Sequence, residues 1–147
     1  MTLEDWRRNG WLQTHRTSRE EVRGLLGIVR RDLEDAGGAI SPDWRFGIAY
    51  NAALKLCTLL LAASGYRPAH TAHHYRALAS LPLILGPERR EDADYLETCR
   101  RKRNEADYIV AGGVTEVDAE ELRDFARGLM KDARAWLTEN HPELLGE

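Results

Sequence analysis

The chain has 147 residues, of which 43% are apolar and 31% are charged, the composition of one soluble globular domain with a single hydrophobic core. Its formal net charge of -3 excludes a global basic field of the kind that marks many nucleic-acid-binding proteins, although a local basic patch is still allowed. The two cysteines, Cys57 and Cys99, have neither metal-ligand nor disulfide-framework spacing, which predicts small core residues in a reducing cytosol.

The sequence contains no pattern typical of secretion or of a membrane span. Residues 1–8 are charged and lack the apolar run of a signal peptide. The most apolar stretch, Ala52 to Ala63, contains Lys55 and is shorter than the roughly 20 apolar residues that cross a bilayer. We therefore predict a cytoplasmic protein without membrane contact.

The first long helix is predicted from apolar residues that recur at three- and four-residue steps between residues 22 and 36. Ser18 and Glu21 are spaced as a capping box at its start, and Gly37–Gly38 end it. Residues 1–17 contain two tryptophans and are predicted to be an N-terminal extension that packs on the other helices as a turn or a small helix.

The second helix is predicted to start at Ser41, with Pro42 at the first helical position. It is apolar almost all round as far as Gly65, which favours a central position covered by neighbours on several sides. Its polar exceptions include Asn51 and Lys55, which share one face of the helix because they are four residues apart.

Three more helices follow. The third begins near Thr71, the fourth runs from about residue 88 to residue 110, and Thr115 or Asp118 caps the fifth. No segment is predicted to be a strand, and the short connections favour antiparallel neighbours. We predict one all-α domain over residues 1–147, an up-and-down antiparallel bundle of four to five helices.

The fourth helix carries charges on the same face as its apolar residues. At roughly 100° per residue, Arg103 and Asp107 lie about 20° to either side of Leu96. Charges on a packing face must be paired or must line a cleft. An intrahelical pair between Arg103 and Asp107 is the structural interpretation. The neighbouring Asn104 and Tyr108 add donors, acceptors and a phenol suited to phosphate and ribose contacts.

The segments Arg100–Tyr108 (RRKRNEADY) and Ala49–Ala53 (AYNAA), together with the order of elements, resemble the HEPN superfamily over roughly residues 18–140. The resemblance implies a homodimer of four- or five-helix bundles. In many members an arginine, a polar residue and a later histidine form a metal-independent RNase site at the dimer cleft, without a cofactor. Many members are toxins or defence components, frequently partnered with a small nucleotidyltransferase that acts as the antitoxin, and others are noncatalytic.

By this resemblance Arg103 matches the motif arginine and Asn104 the polar residue that follows it. Tyr108 stands where the histidine is expected, and a tyrosine with an ordinary pKa of about 10 is a poor base at pH 7. We therefore predict an RNA- or nucleotide-binding site formed by Arg103, Asn104, Asp107 and Tyr108, and leave its catalytic activity open.

Three histidines at the start of the third helix form the one histidine cluster, His70, His73 and His74. No carboxylate or cysteine accompanies them nearby, so no metal site is predicted. His73 or His74 could instead supply the missing imidazole to the Arg103 site from another helix, because catalytic partners need only be close in space. We include His74 among the catalytic candidates. The structural interpretation is an exposed helix end.

Four basic residues are assigned to nucleic-acid contacts: Arg100, Arg101, Lys102 and Lys55. Lys55 has an equally simple structural interpretation as the exposed edge of a buried helix. The predicted protein binds RNA or a nucleotide as part of a toxin–antitoxin or defence system. The alternative is a noncatalytic helical dimer that docks a partner protein and in which the Arg103–Asp107 pair is purely structural.

Overall fold

The computed structural model of the chain describes residues 1–108 and 113–146, except for the side chains of residues 105–108. The helices are α1 (Leu3–Arg8), α2 (Arg19–Asp35), α3 (Pro42–Ala63), α4 (His73–Ala79), α5 (Leu81–Leu85), α6 (Arg90–Tyr108) and α7 (Glu116–Asn140). The strands are β1 (Leu12–Thr14) and β2 (Tyr66–Pro68), and 3-10 turns occupy Pro87–Arg89 and Pro142–Leu144. The predicted all-α helical bundle is confirmed.

Helix α3 lies at the centre of the bundle, where it contacts α2, α4, α5, α6 and α7. Its apolar residues surround the helix axis, so every side of it needs a neighbour, as the sequence predicted. Pro42 occupies the first turn after Ser41, although the Ser41 side chain makes no capping hydrogen bond. Cys57 of α3 and Cys99 of α6 are both buried and unpaired, as expected of core residues.

By length and composition alone, α3 is apolar enough to cross a membrane. It is longer than the apolar run of residues 52–63, because the helix also includes the ten residues before that run. Of its most apolar window, 72% is buried inside the protein. This burial is the pattern of a core helix.

Helices α2 and α7 pack against α3 and begin with capped first turns. The Ser18 hydroxyl accepts a hydrogen bond from the Glu21 backbone N–H at 3.1 Å, which confirms half of the predicted capping box. The Glu21 carboxylate bonds to His15 instead of closing the box. At α7, Thr115 and Asp118 cap each other reciprocally, so both candidates for this position take part.

The prediction that the chain contains no strand is wrong. Strands β1 and β2 pair antiparallel, with Leu12 opposite Pro68 and Thr14 opposite Tyr66. Three residues per strand are too few to show the alternation from which strands are recognised in a sequence. The pairing fastens the N-terminal extension to the segment that follows α3.

The N-terminal extension packs on the bundle through a small apolar cluster, as predicted. Trp6 and Leu12 are buried together with Leu61 of α3. The guanidinium carbon of Arg76, on α4, lies 3.8 Å from the Trp11 ring centroid, a cation–π contact. The extension is therefore held by both apolar burial and a charged residue of the bundle.

The start of α3 is joined to α7 by a buried arginine. The Arg45 Nε–H donates to the Ala36 carbonyl oxygen at 2.6 Å. Its remaining guanidinium nitrogens pair with Glu116 and Glu120 of α7. Because each of its three nitrogens meets an acceptor, Arg45 has a structural role in the bundle.

The predicted third helix is divided in two. Helix α4 starts at His73 and ends at Ala79, and α5 follows with Pro82 near its start. Helix α6 begins within two residues of the predicted position. The predicted end of this helix, at residue 110, lies outside the described residues.

Candidate functional site

The partly buried Arg103 side chain of α6 packs against α3. The guanidinium carbon lies 5.3 Å from the centroid of the Tyr50 ring, a cation–π arrangement. Gly47 is one turn before Tyr50, and a Cβ atom at Gly47 would lie 3.8 Å from Arg103 Nε. A side chain longer than alanine at position 47 would therefore meet the guanidinium. Gly47 and Tyr50 together form the surface of α3 on which the Arg103 guanidinium packs.

Helix α4 brings His74 to the same tyrosine. The ring centroids of Tyr50 and His74 are 6.5 Å apart. His73 packs edge-on against His74 at a centroid distance of 4.3 Å. Arg103 of α6 and His74 of α4 thus both contact Tyr50 of the central helix. We define the Arg103 cluster as these three residues together with Arg100.

The surroundings of His74 favour its neutral form. Partial burial lowers the pKa of His74, and the positive charges of His73, Arg103, Arg100 and Lys55 lower it further. Because an unperturbed histidine titrates near pH 6.5, His74 is neutral at pH 7 and can accept a proton. The cluster therefore combines a proton acceptor with fixed positive charge.

Tyr50 is fully buried, yet its hydroxyl has no hydrogen-bond partner among the described residues. Burial raises the pKa of Tyr50 to about 12, although the charges of Arg100 and Arg103 act in the opposite direction. The phenol is thus protonated at physiological pH and is available as a donor. Buried polar groups nearly always have partners, so a buried water bonded to this hydroxyl is expected.

Arg100 is held by a carboxylate of its own helix. Its Nη2 lies 2.6 Å from Oε1 of Glu97, and its Nε lies 3.0 Å from Oε2. Hydrogen bonding from Arg100 lowers the pKa of Glu97 below its usual range, although partial burial opposes this. Glu97 therefore orients Arg100 and neutralises part of its charge.

The next two basic residues of the motif point elsewhere. Arg101 is 74% exposed, lies 3.3 Å from Glu97, and lines a separate cavity of about 450 Å³ between α1, α4, α5 and α6. The Lys102 ammonium lies 2.8 Å from Asp118 and links α6 to α7. Successive helical residues are about 100° apart, so four consecutive cations cannot face one cleft.

The remaining predicted site residues are only partly described. Asn104 is exposed on α6, and Lys55 of α3 is partly buried and acts on His74 through its charge. The side chains of Asp107 and Tyr108 lie outside the described residues, so the Arg103–Asp107 pair stays a prediction. Among the described side chains, no carboxylate is within ion-pair distance of Arg103.

Gly47 and Glu97 were not predicted to be site residues, and Tyr50 was predicted only as part of the AYNAA segment. The pattern that could have predicted this packing surface is a glycine three residues before a tyrosine in an otherwise apolar helix. Within the described residues, no group of three His, Cys, Asp or Glu side chains is arranged to hold a metal ion.

No protein-family model, curated protein or solved structure matches the chain. The site is therefore defined by its own geometry, in which a cation and a neutral imidazole from two helices meet on a buried phenol of a third.

Proposed function

We propose that this chain is a HEPN-type, cytoplasmic helical protein that binds RNA or a nucleotide at the Arg103 cluster. The observation that carries the proposal is the convergence of Arg103 and His74 on Tyr50. Arginine suits phosphate because its planar fork can donate two parallel hydrogen bonds. The family resemblance places such a site at the cleft of a homodimer in a toxin–antitoxin or defence system.

The cluster also offers a chemical route for RNA cleavage without a metal. In this reaction the ribose 2′-oxygen bonds to phosphorus while the bond from phosphorus to the 5′-oxygen breaks. His74, neutral at pH 7, takes the proton of the 2′-hydroxyl, and the leaving 5′-oxygen takes a proton from solvent. Arg103 stabilises the negative charge that develops on the phosphate oxygens. His74 would thus take the part of the motif histidine that Tyr108 replaces.

Binding is tested with a fluorescein-labelled, unstructured 20-nucleotide RNA followed by anisotropy. We expect Arg103→Ala to weaken binding by about tenfold or more, as the loss of a charge-assisted phosphate contact requires. The matched control is Arg90→Ala, since Arg90 is on the same helix and its side chain is 81% exposed. This control should bind RNA as the unchanged protein does.

A folded Arg103→Ala protein with unchanged affinity for RNA and for mononucleotides would contradict the proposed site. If Arg103→Ala does not fold, His74→Gln replaces it as the test variant, with binding and cleavage as separate measurements. An adjacent gene for a small nucleotidyltransferase that co-purifies with the protein would support the toxin–antitoxin assignment.

The alternative function, a noncatalytic dimer that docks a partner protein, is favoured by a different surface. Trp44 is 70% exposed at the start of α3, and Ile40 and Val117 are also exposed. The Arg45–Glu116 pair brings the start of α7 beside that of α3. Exposed apolar residues close together are typical of interfaces. A Trp44→Ser variant that becomes monomeric by light scattering, while RNA binding is absent in the unchanged protein, would favour this alternative.

A further inference from the structure

A second concentration of positive charge lies between α2 and α7, on residues that the Arg103 cluster does not use. Two adjoining cavities, of about 350 Å³ and 430 Å³, share Arg30 and Arg134. We call them together the α2–α7 groove. Glu34 is the one carboxylate among its described lining residues. Its cationic lining residues are Arg23, Arg30, Arg123, Arg127, Lys131 and Arg134.

Two of these cations are engaged in the fold. Arg123 donates to the Leu33 carbonyl oxygen at 2.8 Å and lies 3.5 Å from Glu120. Arg127 lies 3.9 Å from Asp124. The other four make no ion pair within the part of the chain that the structure describes: Arg23, Arg30, Lys131 and Arg134. The groove therefore keeps several uncompensated charges in a protein whose net charge is -3.

The cations are spread along the groove. From Arg123 to Arg134, α7 rises by roughly 16 Å, and from Arg23 to Arg30, α2 rises by roughly 10 Å. A single phosphate ion is too small to contact cations over this length. An extended polyanion, with charges at regular intervals, can contact several of them at once.

The lining favours a nucleic-acid strand over an acidic protein. Cores of protein–protein interfaces are depleted in charge and enriched in aromatic residues. The described lining of this groove contains no aromatic residue, which argues against base stacking as well as against a protein-interface core. Its apolar members include Leu26 and Leu33, which are mostly buried. Interfaces with nucleic acids are much more positively charged, and arginine contacts phosphates through two hydrogen bonds.

We propose that the α2–α7 groove binds the phosphodiester backbone of single-stranded nucleic acid, independently of base sequence. Gly27 lies between Arg23 and Arg30 on α2, and a Cβ atom at this glycine would have nothing within 4 Å. The α2 backbone is therefore open to a strand lying between the two arginines. The proposal goes beyond the function of the Arg103 cluster because it needs none of its residues.

The test variant is Arg30→Gln/Arg134→Gln, because these two arginines line both cavities. The matched control is Arg8→Gln/Arg90→Gln, which removes the same charge from exposed positions outside the groove. Binding of labelled 20-nucleotide oligouridylate and oligothymidylate is measured by anisotropy between about 50 and 200 mM salt. The two probes distinguish an RNA ligand from a ligand that is either nucleic acid.

We expect the groove variant to bind at least about tenfold more weakly at low salt, with the slope of log K against log salt reduced by about 1.4. This value corresponds to about 0.7 for each phosphate of a single strand that an arginine no longer neutralises. The control should keep both affinity and slope. An equal loss of affinity in the control would show a diffuse charge effect and would overturn the proposal, as would a groove variant that binds like the unchanged protein.

Two further measurements keep the result decisive. Polyglutamate that displaces the oligonucleotide at equal charge concentration would show that the groove takes acidic proteins instead. If the double Gln variant does not fold, Arg30→Lys/Arg134→Lys keeps the charges, and its salt slope should be unchanged while affinity falls. Failure of the proposed RNA site at the Arg103 cluster can be distinguished from failure of the groove proposal. In the first case Arg103→Ala binds RNA normally while the groove variant still loses affinity.

Discussion

The guanidinium carbon of Arg103 lies 5.3 Å from the centre of the Tyr50 ring, and the hydroxyl of that ring has no described hydrogen-bond partner. The contact joins the strongly charged α6 to the largely apolar α3. It also brings a cation and, on the facing α4, the neutral His74 to the same tyrosine ring. The ring and the hydroxyl of Tyr50 have separable roles, in supporting Arg103 and in the stability of the fold.

Replacing Tyr50 with phenylalanine separates those roles. The substitution removes a hydroxyl without a described partner and keeps the ring under Arg103, so we expect the free energy of unfolding to stay the same or rise by about 1 kcal/mol. RNA affinity should stay the same, because the hydroxyl is buried and the ring that supports Arg103 is kept. Urea denaturation and anisotropy measure the two effects. A clear drop in the urea midpoint would show that the hydroxyl stabilises the fold, and a loss of RNA affinity would show that it contacts the ligand.

The depressed pKa of His74 predicts a pH dependence of stability. The unfolded chain binds a proton at His74 near pH 6.5, whereas the folded protein binds it only at lower pH. The free energy of unfolding should therefore fall as pH decreases below 6.5, until the folded-state pKa is passed. Urea unfolding at several pH values measures this fall. In His74→Gln the loss should be smaller, and an identical pH profile for both proteins would contradict the expectation.

Arg45 is expected to stabilise the fold through the hydrogen bonds that its three guanidinium nitrogens donate. Arg45→Met removes the bonds to the Ala36 carbonyl, Glu116 and Glu120 and should lower the free energy of unfolding by about 1.5–3 kcal/mol. The Glu116 and Glu120 side chains are substantially exposed, so Glu116→Gln should change stability by less than about 1 kcal/mol. Thermal melting of both variants checks the difference. Equal losses would show that the ion pair, and not the buried carbonyl contact, dominates.

Two glycines should respond oppositely to alanine. Gly24 is inside α2 with open space around its Cβ position, so Gly24→Ala should stabilise the protein by about 0.5–1 kcal/mol. Gly65 has φ of +99°, a conformation that alanine rarely adopts, and Gly65→Ala should destabilise it by about 1 kcal/mol or more. Differential scanning calorimetry should show shifts of opposite sign. A shared sign would mean that backbone conformation does not control these positions.

Most of the helices could be predicted because helical periodicity and capping residues are local properties of the sequence. The central position of α3 followed from its apolar residues, which surround the axis. Strands β1 and β2 could not be predicted, since each has three residues and their pairing joins segments about fifty residues apart. Arg45, at the polar start of a helix, was not recognised as buried because its acceptors on α7 are distant in sequence.

The candidate site could be predicted only in part for the same reason. Spacing on α6 placed Arg103 on the packing face, but the residue it packs on depends on how α6 crosses α3. Nothing local to the sequence brings His74 to Tyr50, so His74 was identified only as a candidate from another helix. The ion pair of Lys102 with Asp118 likewise depends on tertiary packing.

The most direct test of the Arg103 cluster as an RNA site is the titration of His74 by NMR, with and without bound 20-nucleotide RNA. The His74 ring signals are assigned by comparison with His74→Gln, and His15 and His141 serve as distant references. A phosphate held by Arg103 would add negative charge beside the imidazole and should raise the pKa of His74. A saturated complex in which the His74 titration is unchanged would contradict the account.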